Sequence, residues 1–143
     1  MQHDCRGPVD AAAVRRGYAS VVPTAKIVLA EVANGLSFDR SAYEEQIDAE
    51  LVERVANVLF AAGLAVACGE HQAFESYGDA HPDAEVIRLG ASASDAVCWH
   101  HAPVAGLIIG AGYHEAEPSA REVVRRAAFN RCYRPIIETD EAA

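Results

Sequence analysis

The densest group of side chains that could carry chemistry is the run Cys98-Trp99-His100-His101. Thiolates and imidazoles are ligands that zinc prefers, and a carboxylate can complete such a site. One hypothesis is therefore a metal-dependent enzyme or small-molecule pocket whose zinc or similar divalent ion keeps a coordination position open for water. Its candidate ligands are Cys98, His100, His101, His114 and Glu115.

A structural interpretation competes with this metal site. Adjacent residues of a strand face opposite sides of a sheet, so His100 and His101 would not both reach one ion. The dipeptide Ala102-Pro103 also favours a turn directly after them. On this interpretation both histidines are solvated loop residues.

The four cysteines, Cys5, Cys68, Cys98 and Cys132, are widely spaced and form no CxxC pair. Cys68 and Cys98 lie in apolar runs, which is typical of small buried side chains. A catalytic thiolate at either position is a second enzymatic hypothesis, but a carboxylate as close as Glu70 would oppose ionisation of the Cys68 thiol. Because we expect a cytoplasmic protein, we expect free thiols rather than disulfides.

A glycine-rich segment, Gly110-Ala111-Gly112, follows an apolar run and precedes a predicted helix. The same order occurs at the phosphate-binding turn of a dinucleotide-binding domain. Glu115, however, stands where that motif has its third glycine, and its negative charge would face the pyrophosphate. The sequence therefore predicts ordinary turn glycines here.

Charge is distributed unevenly along the chain. The formal net charge is −9, and residues 41–85 hold ten acidic residues against the single basic Arg54. In residues 121–134, five arginines are opposed only by Glu122. Such an uneven distribution of charge favours association with a protein of complementary charge. The candidate partner-binding residues are Glu44, Glu45, Asp48, Glu53, Arg121, Arg125 and Arg126.

Composition bounds the class of protein. Of the 143 residues, 51% are hydrophobic and 23% are charged, which is typical of a folded globular domain. The acidic balance argues against nucleic acid as a partner. No apolar run is long enough to span a membrane, and the first residues lack the apolar core of a signal peptide. We therefore expect a cytoplasmic protein without a cofactor that binds a basic protein surface, a second copy of itself, or both.

Local patterns predict the secondary structure. A capping box at Ser41 and Glu44 begins a helix that ends at Gly63, and a second box at Ser119 and Glu122 begins another that ends near residue 131. Residues 11–20 fit a short helix, while residues 24–36 fit either a helix or a buried strand. Strands are predicted at 64–68, with a continuation through 72–77 as an option, and at 85–89, 104–109 and 134–138.

These elements predict a frayed N-terminus at residues 1–10 and a single α+β domain over residues 11–143. The expected architecture is a two-layer sandwich, with helices packed on one face of a mostly antiparallel sheet of about four strands. The favoured function is electrostatically driven protein binding by a self-associating accessory, inhibitory or assembly component. The alternative is an enzyme or small-molecule binder with a pocket around Cys98, His100, His101 and His114.

Overall fold

The computed structural model describes residues 5–35, 49–90, 96–113 and 117–139. The chain forms two compact units. Residues 15–63 form a helical unit, and residues 1–14 together with 64–143 form a unit built on a β-sheet, called the sheet unit below. In the described ranges, no helix is both long enough and apolar enough to cross a bilayer.

The helical unit begins within helix α1 (Ala11–Gly35), which covers the segment that fits either helix or strand in the sequence. The structure makes this segment helical as far as Gly35. Ala25 and Leu29 lie four residues apart and are both buried, so they share one face of the helix. The short helix predicted at 11–20 is the first part of the same 25-residue helix.

Helix α2 (Ala49–Ala62) is the described part of the long acidic helix that the sequence predicts. Its residues Ala56 and Phe60 are buried four positions apart, as the predicted apolar stripe requires. The helix ends where expected, with the Gly63 amide donating to carbonyls of the last turn. The capping box at 41–44 lies outside the described residues.

The sheet unit contains the strands β1 (Ala67–Glu70), β2 (Glu85–Leu89), β3 (Ala96–Ala102) and β4 (Leu107–Tyr113). Their order across the sheet is β1-β3-β4-β2. β3 pairs antiparallel with both β1 and β4, while β2 pairs parallel with β4. The α+β class and the mostly antiparallel four-stranded sheet are therefore confirmed.

Both faces of this sheet carry a helix. Helix α3 (His71–Asp79) packs on β1 and β3 and buries Phe74 in the same cluster as Val97. Helix α4 (Glu117–Ala128) packs on β3 and β4 over the neighbouring, oppositely directed side chains of β3. β3 is buried from Val97 to Ala102 without alternation, as a strand covered on both faces must be. The expected arrangement had helices on one face only.

Residues 5–7 run beside the end of β3. The Cys5 carbonyl accepts from the His101 amide at 2.7 Å, and the Gly7 amide donates to the His101 carbonyl at 2.9 Å. This contact lies beyond the stretch of β3 that pairs with β1, residues 96–99. Cys5 is also buried, so this part of the predicted frayed terminus is held against the sheet.

The segment that follows β1 is helical rather than a continuation of the strand. Residues 71–79 form α3, and the strand option for 72–77 is wrong. Phe74 and Tyr77 are compatible with a strand, but the helix buries Phe74 in the same cluster as Trp99 and packs Tyr77 against that cluster. His71 and Glu75 lie one helical turn apart, and their side chains meet at 2.9 Å.

The strand predicted at 134–138 is also wrong. These residues form helix α5 (Arg134–Glu138), which follows α4 through a π-helical turn (Phe129–Tyr133). Pro135 lies in the first turn of α5, a position that needs no amide donor. Arg134 then pairs with Glu138 at 2.8 Å across one helical turn.

Several boundaries differ by a few residues from the predicted ones. β1 spans Ala67–Glu70 rather than residues 64–68, and β4 ends at Tyr113 rather than at residue 109. β4 begins at Leu107 rather than at residue 104, because residues 103–106 form a turn that ends on Gly106 with a φ of 67°. Helix α4 begins at Glu117, two residues before its predicted capping box, since Pro118 is compatible with the first helical turn.

Candidate functional site

His100 is a fully buried residue of β3 whose two ring nitrogens are both hydrogen-bonded. Nδ1 donates to the Ala65 carbonyl at 2.6 Å, because a carbonyl can only accept. In the neutral ring Nε2 is then the acceptor, and the Tyr133 hydroxyl donates to it at 2.6 Å. Burial raises the pKa of Tyr133, which keeps that donor protonated. The expectation that His100 and His101 are solvated loop residues is wrong, because both are buried in β3.

Two arginines of the predicted partner surface hold the chain that leads into β1. Arg125 Nε donates to the Leu64 carbonyl at 3.0 Å, and Arg121 Nη1 donates to the Val66 carbonyl at 3.2 Å. His100 binds the carbonyl between them, so three consecutive carbonyls, those of residues 64–66, each receive a side-chain donor. We call this arrangement the carbonyl clamp. It gives the basic character of α4 a role within the fold.

The other members of the predicted charge surface have different surroundings. Arg126 is exposed on α4 and pairs with Glu122 at 3.7 Å. Glu53 is exposed on α2. Glu44, Glu45 and Asp48 lie outside the described residues. Among the described members, Arg126 and Glu53 are therefore the ones that present their charge to solvent.

Cys68 and Cys98 form a disulfide bond. They lie directly opposite each other in the ladder between β1 and β3. The expectation of free thiols is wrong for this pair, because residues 30 apart in sequence are brought together only by the register of the sheet. Cys5 and Cys132 take no part in this disulfide, and both are buried. Burial raises the pKa of Cys132 to about 11.

The structure does not bring the predicted metal ligands together. Cys98 is disulfide-bonded, and both ring nitrogens of His100 are occupied by the protein. His101 follows His100 in the strand and projects from the opposite face. His114 and Glu115 lie outside the described residues. In the part of the chain that the structure describes, no three His, Cys, Asp or Glu side chains are arranged to hold a metal ion.

The glycine-rich segment lies within β4 and does not form a turn. A Cβ atom on Gly110 would lie 2.6 Å from Cε1 of Phe74, which is too close for a real contact. The glycine therefore allows α3 to approach the sheet closely. The prediction of turn glycines here is therefore wrong, because the segment belongs to a strand. It does not form a phosphate-binding turn either.

A cavity of about 310 Å³ lies beside the end of α3 in the sheet unit. Its lining comes from three separate segments: the N-terminal segment at residues 5–7, the loop after α3, and the end of β3 with the turn that follows. Among the lining residues are Arg6, His81, Asp83 and His101. We call it the histidine cavity.

Tyr77, His81 and His101 form a compact cluster at this cavity. The Tyr77 hydroxyl and His101 Nδ1 share a hydrogen bond of 2.8 Å, and His81 Nδ1 donates to the Tyr77 carbonyl at 2.8 Å. The ring of His81 stacks on Tyr77 at 4.2 Å and meets His101 edge-on at 4.9 Å between centroids. Because Nδ1 of each imidazole is used within the fold, a ligand would meet Nε2.

The charges at the histidine cavity are set by its surroundings. Burial lowers the pKa of His101 to about 4, and the neighbouring His81, Arg6 and His100 act in the same direction. His101 is therefore uncharged at neutral pH. Arg6 brings a permanent positive charge, and the main-chain bonds of residues 5–7 to His101 hold it there. Asp83 adds a carboxylate to the lining.

Sequence patterns did not identify three residues of this site, namely Arg6, Tyr77 and His81. Arg6 falls in the segment predicted as frayed, and His81 in a loop rich in turn-forming residues. No local spacing connects either residue with His101, since the connection is made by the sheet and by α3. The run of histidine at 100–101 did identify one residue of the cavity, His101.

Comparison with known proteins places the chain in a family without assigning it a function. No curated protein and no solved structure matches the chain. A family model described as "Family of unknown function (DUF5809)" matches residues 6–134, a range that includes both the carbonyl clamp and the histidine cavity. The chain therefore belongs to the DUF5809 family.

Proposed function

We propose that the protein binds a small anionic molecule, one that carries a carboxylate or a phosphate group, in the histidine cavity. The observation that carries this proposal is the convergence of Arg6, His81 and His101 on one cavity from three distant segments. A volume of about 310 Å³ suits a small metabolite. A guanidinium is well suited to the anionic group, because its planar fork can donate two hydrogen bonds to one carboxylate or phosphate.

The remaining lining residues restrict the ligand further. His101 is uncharged at neutral pH, so it offers a hydrogen bond rather than a second positive charge. Asp83 would repel a ligand that is anionic at both ends, and its carboxylate accepts hydrogen bonds. The best ligand therefore carries an anionic group for Arg6 and a hydroxyl or ammonium group for Asp83.

Isothermal titration calorimetry with a panel of small ligands tests the proposal. The panel contains inorganic phosphate, small carboxylates with and without hydroxyl or ammonium groups, and the neutral amides of the same compounds. We expect saturable binding of anions with a hydroxyl or ammonium group, and loss of at least about tenfold in affinity for the amides, since a charge-assisted pair is worth about 1.5–3 kcal/mol.

Two variants distinguish the cavity from general attraction of anions. Arg6→Gln removes the guanidinium and should abolish the preference for anions over amides, while Arg126→Gln removes an exposed arginine of α4 and should leave it unchanged. Binding that is equal for anions and amides, or unaffected by Arg6→Gln, would rule out the proposed site. So would the failure of every anion in the panel to bind.

A second candidate function is protein binding by the helical unit, with a basic protein surface or a second copy of the chain as partner. It is favoured by exposed aliphatic side chains within that unit: Ile27, Val32 and Val58 are each more than half exposed. The acidic Glu50 and Glu53 are exposed on α2 of the same unit. Apolar and acidic surface in one unit is typical of an interface steered by charge.

Native mass spectrometry at low and high ionic strength tests this second function. We expect complexes that weaken as salt is raised, and the triple reversal of Glu45, Asp48 and Glu53 to lysine should weaken them without unfolding the protein. Partner binding that a folded triple variant retains in full would contradict it.

A further inference from the structure

We propose that the Cys68–Cys98 disulfide is a thiol–disulfide exchange site, at which an external dithiol reduces the bond by attack on Cys68. This proposal is independent of the ligand proposed for the histidine cavity. It starts from a position: the two cysteines face each other across paired strands, and β1 is the edge strand of the sheet with β3 as its partner. In the described residues, β1 has a neighbouring strand on the β3 side alone, so the Cys68 end of the bond lies at the margin of the sheet.

The two sulfur atoms differ in their surroundings. Cys98 is fully buried in the cluster that includes Ala111 and Val124, beneath helix α4. Cys68 is only partly buried, at the edge of the same cluster. Because exchange requires a thiolate to reach a sulfur atom in line with the bond, Cys68 is the sulfur that can be attacked and Cys98 is the leaving group.

The reaction balances with one dithiol molecule. A thiolate of the dithiol attacks Cys68 Sγ, the bond between the two protein sulfurs breaks, and Cys98 leaves as a thiolate that takes up a proton. The second thiolate of the reagent then attacks the reagent's own sulfur in the mixed disulfide and releases Cys68. The dithiol is oxidised to a disulfide, the protein gains two electrons, and the two protons of the dithiol end on Cys68 and Cys98.

The sheet unit holds the strands together without the bond. The ladder from Ala67 to Glu70 stays paired with Ala96 to Trp99 through the main chain. Directly before it, the carbonyl clamp binds residues 64–66 to α4 and β3. Reduction therefore releases one covalent link between strands that stay in register, so the bond can form again in the same place.

The other two cysteines do not compete in this reaction. Cys5 and Cys132 are each only 2% exposed. Burial also raises the pKa of Cys132 to about 11, so its thiol is almost entirely protonated at neutral pH and is a poor nucleophile. Exchange is thus confined to the pair in the sheet.

Reduction of the native, oxidised protein by dithiothreitol tests the proposal. Samples are quenched with iodoacetamide over time and the labelled cysteines are identified by mass spectrometry. We expect a reduction rate proportional to the dithiol concentration, a label that appears on Cys68 as the bond is reduced, and no label on the buried Cys98, Cys5 or Cys132. A rate that is independent of dithiol, equal to the rate of global unfolding, would overturn the proposal, as would a protein in which Cys68 and Cys98 are never bonded.

Two single-cysteine variants identify the attacked sulfur. In Cys98→Ser the remaining Cys68 thiol should form a mixed disulfide with glutathione disulfide at least about tenfold faster than the Cys98 thiol of Cys68→Ser, because only Cys68 is accessible. Circular dichroism establishes that both variants are folded. Equal rates in the two folded variants, or a faster reaction at Cys98, would also overturn the proposal; if either variant is unfolded, the rate measured on the native protein decides.

Discussion

His100 and His101 are neighbours in β3, yet they serve different halves of the sheet unit. The ring of His100 binds the Ala65 carbonyl and Tyr133 in the interior, whereas the ring of His101 binds Tyr77 and lines the histidine cavity. The main chain of His101 also binds residues 5–7, which carry Arg6. One dipeptide thus connects the carbonyl clamp with the candidate ligand site.

The protein should lose stability in mild acid because of His101. Its pKa is about 4 in the fold, whereas an ordinary histidine in the unfolded chain has a pKa near 6.5. Between these two pKa values the unfolded state binds a proton that the folded state does not bind. The free energy of unfolding is therefore unaffected by His101 protonation above about pH 6.5. It falls by roughly 3 kcal/mol as the pH drops to about 4.

Urea denaturation across this pH range measures the effect. The His101→Gln variant removes the titrating group, so the difference in stability between wild type and variant should shrink as the pH falls below about 6.5. A difference that stays constant over the whole range would contradict the assignment to His101.

Replacement of Arg125 by methionine should destabilise the protein by about 1–3 kcal/mol, because it removes the donor to the Leu64 carbonyl within the carbonyl clamp. Arg126→Met is the matched control on the same helix. Its guanidinium pairs with Glu122 at the surface, so its loss should change stability by less than about 0.5 kcal/mol. Equal effects of the two replacements in urea denaturation would show that the clamp does not contribute.

Gly110→Ala should destabilise the protein by about 1–3 kcal/mol, because its Cβ would meet Phe74 and force α3 away from the sheet. Gly69→Ala is the control in β1. There the nearest atom, Cβ of Ala73, would lie at 3.5 Å, an ordinary contact. Thermal unfolding of both variants should therefore give a clearly lower Tm for Gly110→Ala only.

Gly7→Ala should weaken ligand binding at the histidine cavity. A Cβ at this position would overlap the Tyr133 hydroxyl and approach His100 Nε2 at 3.0 Å, so residues 5–7 must shift and carry Arg6 with them. Val9→Ala changes an exposed residue nearby and should leave affinity unchanged. The same calorimetric titration compares them, and full affinity in Gly7→Ala would mean that the position of Arg6 does not matter.

Elements with strong local signals could be predicted from the sequence. The end of α2 at Gly63 and the strand at residues 85–89 follow from the residues of those segments alone. The short segments at 72–77 and 134–138 could not be assigned in this way. Their apolar residues fit strands, while the contacts that make them helical arise in the folded chain, such as the packing of Phe74 of α3 against Val97 and Trp99 of β3.

The candidate sites also depend partly on local sequence and partly on tertiary contacts. The sequence by itself determined the α+β class, the acidic segment and the chemical prominence of residues 98–101. Only the tertiary structure decided that Cys98 bonds to Cys68, that His100 is buried and that His101 meets Arg6 and His81. Local propensity depends on neighbours within a few residues, whereas these contacts join residues 20 or more positions apart through strand register and helix packing, which no local spacing encodes.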